Sequence, residues 1–261
     1  NQYSMSEHEG HLRVATTDGT PWDSRSSESF VTVLGERDRE LTEVGQVGGL
    51  GRGEQIFAVR FYGDTGYVVT FEQIDPLYVL DLSDPLDPRI AGELEVTGFS
   101  DFLHPVSDEL LLGLGQSENF AIKLELFDIS DLENPESRSN IVLGGRGSFS
   151  EARYDRHAFT YQAGAVDRFS IPADVYAVTD DWSWEESGLF LFEVRDKATP
   201  ADATLIPVGS LIVESRSGAQ SWPMGSRNRA VFHDDTVYYV RDTAVWSSFW
   251  NDPVQLLGPH E

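Results

Sequence analysis

The chain has 261 residues, with 19 Lys and Arg against 44 Asp and Glu, so its formal net charge is −25 at pH 7. That length is enough for one large domain or two small ones with a full core, and a 40% hydrophobic content with 15 Phe, 9 Tyr and 6 Trp excludes an intrinsically disordered chain. The acidic excess excludes a non-specific nucleic-acid binder, no apolar run reaches the roughly 18 residues of a spanning helix, and zero cysteine excludes disulfides and cysteine-ligated metal centres.

In chain order, Asn1–Thr17 already reads as folded structure without an initiator Met or a leader, the expectation for a mature, processed or excised piece. His8 and His11 stand two residues apart on a strand-like stretch. Period 2 sends them to opposite faces, which argues against a two-histidine metal clip unless the chain turns at Gly10. Short β-rich runs follow at Phe57–Phe61, Tyr67–Phe71, Leu77–Leu82, Leu110–Leu114, Lys123–Ile129, Val175–Thr179, Leu189–Val194 and Val237–Val240. Gly, Asp, Asn and Pro separate them, and helical periodicity is nearly absent. Gly48–Glu54 is glycine-rich but lacks the Lys-Ser/Thr of a phosphate loop and leads into a strand. It reads as a connection.

The chain repeats itself. VLDLSDPLDP (Val79–Pro88) matches LFDISDLENP (Leu126–Pro135) and, more loosely, LFEVRDKATP (Leu191–Pro200). Each copy is a strand running into a tight turn, with an Asp to cap it and a Pro to restart the chain. Two strands precede each copy and one follows. Four strands and a repeat is the layout of a propeller blade, so the expected fold is an all-β propeller of four-stranded antiparallel blades. About five units are expected in one domain over 1–261, near 1–50, 51–98, 99–149, 150–214 and 225–261. The last looks short, as if the N-terminal strand or material outside the chain completes it.

These stretches resemble the bacterial and archaeal secreted C-terminal β-propeller domain proteins, distantly related to WD40. The likeness is carried by Asn1–Thr17, Gly53–Pro88, Gly92–Pro105 and Lys123–Pro135, and more weakly by Ser150–Phe159. Thr160–Ser226 is poorly matched. The resemblance implies an extracellular, periplasmic or cell-surface protein and transfers no enzymatic activity. Similarity in the family usually begins upstream of a residue equivalent to Asn1, so an upstream segment or another chain is expected to complete the propeller.

Blade logic nominates site residues. Alignment of the hairpins puts Phe61, His104, Asp155 and Val231, with neighbours Arg60 and His233, at innermost strands. There Arg60, His104, Asp155 and His233 form a set able to bind an anion, a sugar or a metal, or simply to plug a channel. In the insertion, Trp182 and Trp184 alternate with Ser183 and share a face suited to a sugar ring or a protein partner. Asp180, Asp181, Glu185 and Glu186 offer oxygen ligands for calcium. The leading functional expectation is a non-catalytic binding domain for a protein or glycan. The alternatives are a carbohydrate hydrolase using Asp155 and Asp101, and a structural module of an envelope assembly.

Overall fold

A computed structural model describes residues 2–19, 27–71, 75–178, 183–215 and 227–260. Five four-stranded antiparallel sheets follow one another along the chain, and within each sheet sequence neighbours are spatial neighbours. The first holds β1 (Met5–His8), β2 (His11–Asp18), β3 (Glu28–Arg37) and β4 (Glu40–Leu50); the second β5 (Gln55–Tyr62), β6 (Thr65–Phe71), β7 (Asp75–Asp81) and β8 (Arg89–Val96). The third holds β9 (Phe99–Pro105), β10 (Leu110–Gln116), β11 (Ile122–Asp128) and β12 (Glu136–Leu143). The fourth comprises β13 (Thr160–Gln162), β14 (Asp167–Tyr176), β15 (Trp184–Arg195) and β16 (Thr204–Ser215). The fifth comprises β17 (Asn228–His233), β18 (Thr236–Arg241), β19 (Ala244–Phe249) and β20 (Asp252–His260). Single turns of 3-10 helix lie at Gln2–Ser4, Glu151–Arg153, Arg156–Ala158 and Pro200–Asp202. Among the described residues no helix is long and apolar enough to cross a membrane.

Two expectations are corrected here. The fifth sheet is complete from its own strands, and β1 pairs with β2 in the first sheet. The Ala244–His260 stretch supplies the third and fourth strands, with a turn at Trp250, whose amide donates to the Asp235 carbonyl at 2.7 Å. His8 and His11 do not lie on one continuous strand. Glu9 and Gly10 both take positive φ (49° and 78°), giving a two-residue hairpin in which His8 and His11 are directly opposed and share a face. The run expected at Val175–Thr179 contributes only its start, as the end of β14, and Thr179 lies outside the described residues.

Contacts divide the chain into two compact units, Asn1–Gly113 with Phe127–Ser137, and Leu114–Leu126 with Arg138–Glu261. In the first, one apolar cluster joins Val31, Leu50, Val59, Val68 and Leu80, and another joins Tyr67, Leu77, Leu103, Leu111 and Phe127. In the second, Leu189, Leu191, Leu211, Val237, Tyr239 and Trp250 pack together. The central strands β10 and β11 are buried nearly throughout; β10 reads as a nearly continuous apolar run, whereas β11 alternates and buries Lys123 as an ion pair with Glu125 at 2.5 Å.

The repeated turn works as its residues predict. Asp81 Oδ1 accepts from the Ser83 amide at 3.0 Å and the Ser83 hydroxyl at 2.6 Å, and Asp84 Oδ1 accepts from the Leu86 amide at 2.9 Å. Asp128, Ser130 and Asp131 reproduce this set at 3.0, 2.6 and 3.0 Å. In the third copy Glu193 replaces the first Asp and reaches elsewhere, accepting from the buried Trp250 indole N–H at 2.7 Å and from Arg195 Nε at 2.7 Å.

Each capped turn then packs on the last strand of the preceding sheet, where the sequence supplies a small residue. A Cβ at Gly45 on β4 would stand 2.4 Å from the Pro85 carbonyl oxygen, and one at Gly92 on β8 would stand 2.2 Å from that of Leu132. In the fifth sheet Pro253 takes the same place against Gly209 on β16, where a Cβ would meet its ring carbon at 2.5 Å. Position 139 on β12, equivalent to Gly92, is Ser, and its hydroxyl accepts from the Leu205 amide at 3.2 Å just past the 3-10 turn.

Three substitutions have distinct expected costs. Gly92→Ala drives a methyl into a backbone carbonyl and is expected to cost about 3 kcal/mol. Gly10→Ala meets nothing within 4 Å and should cost about 1 kcal/mol from its left-handed φ alone. Trp250→Ala, which empties a fully buried site and strands Glu193, is expected to cost about 3–5 kcal/mol. Denaturant unfolding followed by circular dichroism measures all three, and equal costs for the two glycine variants would contradict the packing role of Gly92.

Candidate functional site

The most distinctive surface in the second unit begins where β12 ends. Gly144 and Gly147 take positive φ (70° and 96°) and fold the chain tightly back. The Gly145 amide donates to the Tyr176 carbonyl at 2.8 Å, and the Tyr176 amide donates to the Ser148 hydroxyl at 3.0 Å. Phe149 exchanges both backbone hydrogen bonds with Asp174 at 2.9 Å, and the buried Ser150 hydroxyl donates to the Pro172 carbonyl at 2.6 Å. The segment is thereby stapled along β14, with Ser150 and Ala152 buried beneath side chains that line a surface recess.

Those side chains are aromatic and cationic. Phe120, Phe149 and Tyr154 are 47%, 38% and 64% exposed, a fraction unusual for such large apolar groups lying together. Phe149 stacks on Tyr154 with ring centroids 5.5 Å apart, the Arg153 guanidinium lies 5.3 Å from the Tyr154 centroid, and that of Arg146 lies 5.2 Å from the Phe120 centroid. Together with Gln116 they line a cavity of about 330 Å³. Phe120 holds φ at +58°, where a bulky L-residue is strained by about 1 kcal/mol or more. The β10–β11 turn enforces it: the Phe120 amide donates to the Ser117 carbonyl at 2.9 Å and the Ala121 amide to the Ser117 hydroxyl at 3.2 Å.

Behind this recess lies a network. Arg229 donates to Glu151 at 3.0 Å and to Asp155 at 2.6 Å, while Glu151 also accepts from the Asn228 amide and side chain at 3.0 and 2.8 Å. Asp155 is not on a strand. It caps the Arg156–Ala158 turn, accepting from the His157 amide and lying 2.9 Å from the His157 ring nitrogen. Desolvation by itself would raise its pKa, but the hydrogen bonds from His157 and Arg229 outweigh that and hold the carboxyl below its ordinary range. A carboxyl so held favours its ionised form, the state of a glycosidase nucleophile or base rather than of its proton donor.

The other expected site residues divide between the two units. Arg60 on β5 and His104 on β9 belong to the first unit, Asp155 and His233 to the second. His104 stacks on Phe102 with centroids 6.3 Å apart. His233 is exposed at the β17–β18 hairpin, 3.6 Å from Asp234, and Asp101 lies on β9 of the first unit. Trp184 is half-buried at the start of β15, its indole N–H 3.3 Å from the Ser187 hydroxyl, which in turn donates to Asp174. Trp182, Asp180 and Asp181 lie outside the described residues. Glu185 and Glu186 are consecutive on β15, and burial, reinforced by Glu185, raises the Glu186 pKa. Among the described residues no group of three or more His, Asp or Glu side chains is placed to hold a metal. His8 lies 3.0 Å from Asp64.

Arg60 sits differently from these. It lines a cavity of about 180 Å³ with Tyr3, Met5, Ser6 and Phe61. Burial lowers its pKa against a smaller opposing influence of Tyr62, and its Nε is buried without a hydrogen-bond partner. Sequence reasoning singled out Arg60, which lines this cavity. It did not single out Phe120, Arg146, Phe149, Arg153 or Tyr154. The available signal was GGRGSFSEARY (Gly144–Tyr154), two arginines interleaved with aromatics in a chain otherwise rich in acids.

A model of the beta propeller domain matches residues 1–252. The chain is 45% identical over 159 residues to an uncharacterized protein of Archaeoglobus fulgidus, covering 61% of this chain and 24% of that one. It is 41% identical over 161 residues to an uncharacterized protein of Methanocaldococcus jannaschii, covering 62% and 25%. The chain thus spans about a quarter of the length of the curated relatives it matches. Among solved structures it is similar to a europium-containing methanol dehydrogenase (TM-score 0.47, 9% identity, 97% of this chain and 50% of that chain). It is also similar to Saccharomyces cerevisiae Sqt1 (TM-score 0.43, 8% identity, 98% and 84%). Both sequence relatives are archaeal, in keeping with the resemblance drawn from the repeats. Five consecutive four-stranded meanders, with one family model running through nearly all of them, establish that the chain belongs to the beta propeller domain family.

Proposed function

We propose that the chain is a non-catalytic binding domain that takes a peptide segment of a protein partner on the recess of the second unit. One observation carries the reading: three exposed aromatic rings, two of them with a guanidinium within about 5 Å of the ring centroid, gathered on a stapled backbone. Aromatics and arginine are the residues that most often dominate binding energy at protein interfaces. Their arrangement suits a segment that pairs an acidic side chain with an aromatic or aliphatic one. The carboxylate meets Arg146, and the apolar group covers Phe120 and Tyr154. A fixed platform loses little conformational entropy on binding.

In the hydrolase alternative the ion-paired Asp155 takes the nucleophile or base role, and a different carboxyl supplies the proton. An extracellular or envelope setting forms part of the proposal, supported by the family resemblance and by a sequence free of oxidisable cysteine.

The test is selection of a random phage-displayed peptide library on the intact chain. Enriched peptides are expected to combine an acidic residue with an aromatic or aliphatic one, and a synthetic copy should lose about tenfold or more in affinity for Arg146→Ala and for Tyr154→Ala. It should bind Leu86→Ala, an exposed apolar residue of the first unit, as it binds the wild type. Selected peptides indifferent to Arg146 and Tyr154 would refute the reading. Turnover of a polysaccharide that is lost on Asp155→Asn would put the hydrolase in its place.

A further inference from the structure

In a chain of net charge −25, guanidinium groups find carboxylates readily. Arg89 reaches Asp81 at 2.7 Å, Arg168 reaches Asp235 at 3.0 Å, Arg195 reaches Glu193 at 2.6 Å and Arg229 reaches Glu151 at 3.0 Å. Arg60 is half-buried and has no ion-pair partner among the described residues, and its Nε is cut off from solvent without an acceptor. Leaving such a donor unsatisfied costs stability, and the same residue lines a cavity of about 180 Å³.

The neighbouring residues complete an acceptor-seeking site. Arg13, 4% exposed, lies 5.1 Å from the Phe61 ring centroid, donates through Nη1 to the Gly63 carbonyl at 2.6 Å and donates through Nη2 to the Ser6 hydroxyl oxygen at 3.1 Å. With its oxygen accepting from Arg13, the Ser6 hydroxyl keeps its own proton to donate into the cavity. Met5 and Phe61 supply apolar wall beside these donors.

We infer that this cavity is a binding site for a small organic carboxylate, held by the Arg60 fork and the Ser6 hydroxyl with its carbon chain against Met5 and Phe61. The carboxylate is either a free monocarboxylate or the side chain or terminus of a peptide. A monoanion is favoured over phosphate because the surrounding acidic protein repels a second charge. The site stands independently of the recess in the second unit.

The test uses the intact chain with sodium butyrate, acetate and inorganic phosphate as probes at matched ionic strength, followed by amide chemical shifts and by melting temperature. Butyrate is expected to bind saturably and more tightly than acetate, and phosphate more weakly than either. Arg60→Gln should lose about tenfold or more in butyrate affinity, while melting no lower than the wild type in the absence of ligand. Ser6→Ala should lose several-fold, and Arg60→Lys, which keeps the charge without the fork, should fall between wild type and Arg60→Gln. A short peptide ending in a free carboxylate that competes with butyrate, where its amidated form does not, identifies a chain terminus as a source. Saturable butyrate binding retained in Arg60→Gln, phosphate binding tighter than butyrate, or no saturable change in the wild type each overturns the assignment.

Discussion

Everything else in this fold leans on one repeated contact: a carboxylate-capped turn seated against a side-chain-free position on the last strand of the preceding sheet. The capping hydrogen bonds at Asp81 and Asp128 fix the turn's shape, and the glycines at 45 and 92 let it approach to carbonyl contact. A four-stranded antiparallel sheet presents an unpaired edge at its last strand. A rigid turn that covers part of this strand contributes burial and ties the two sheets together at that point. Where the repeat diverges, the chemistry changes with it. Ser139 replaces glycine and forms a hydrogen bond, while Glu193 abandons the cap and engages Trp250, whose ring and backbone anchor the fifth sheet's turn.

Divergence also locates the recess. The third and fourth sheets are joined by the long Gly144–Phe159 connection instead of a short one, and that connection is pinned to β14 by backbone pairs at Phe149 and by Ser150. A loop with so many internal hydrogen bonds displays its side chains at fixed positions, as binding loops on rigid scaffolds do. Phe120 is held with positive φ on the neighbouring turn and projects into the same recess. The Glu151–Arg229–Asp155 network beneath is part of the support for this display. Its charges are satisfied by one another, which favours the ionised form of Asp155.

The sheet order and the repeat were legible in the sequence because they rest on local signals: β-branched and aromatic runs, turn residues between them, and the Asp-x-Ser-Asp turn copied at fixed spacing. The contact that organises them was not, since nothing in Gly92 alone says that Leu132 will lie on it. At His8 and His11 regular strand alternation was the leading reading and a turn at Gly10 the exception; the positive φ of Glu9 and Gly10 makes the exception the fact. Among the site residues, Arg60 was singled out by blade position, but its lack of a partner is a three-dimensional fact. The recess was invisible for a similar reason: Phe120 lies 26 residues before Arg146 in sequence, and only the fold brings their ring and guanidinium together.

The most direct measurement of the binding reading is a map of backbone amide shifts in the intact chain, titrated with a synthetic acidic–aromatic peptide selected on it. Saturating perturbations confined to Ser117–Ala121 and Gly144–Asp155 are the result this account requires. Perturbations centred instead on Trp184, on the His233 hairpin or on the turns of the first unit would contradict it.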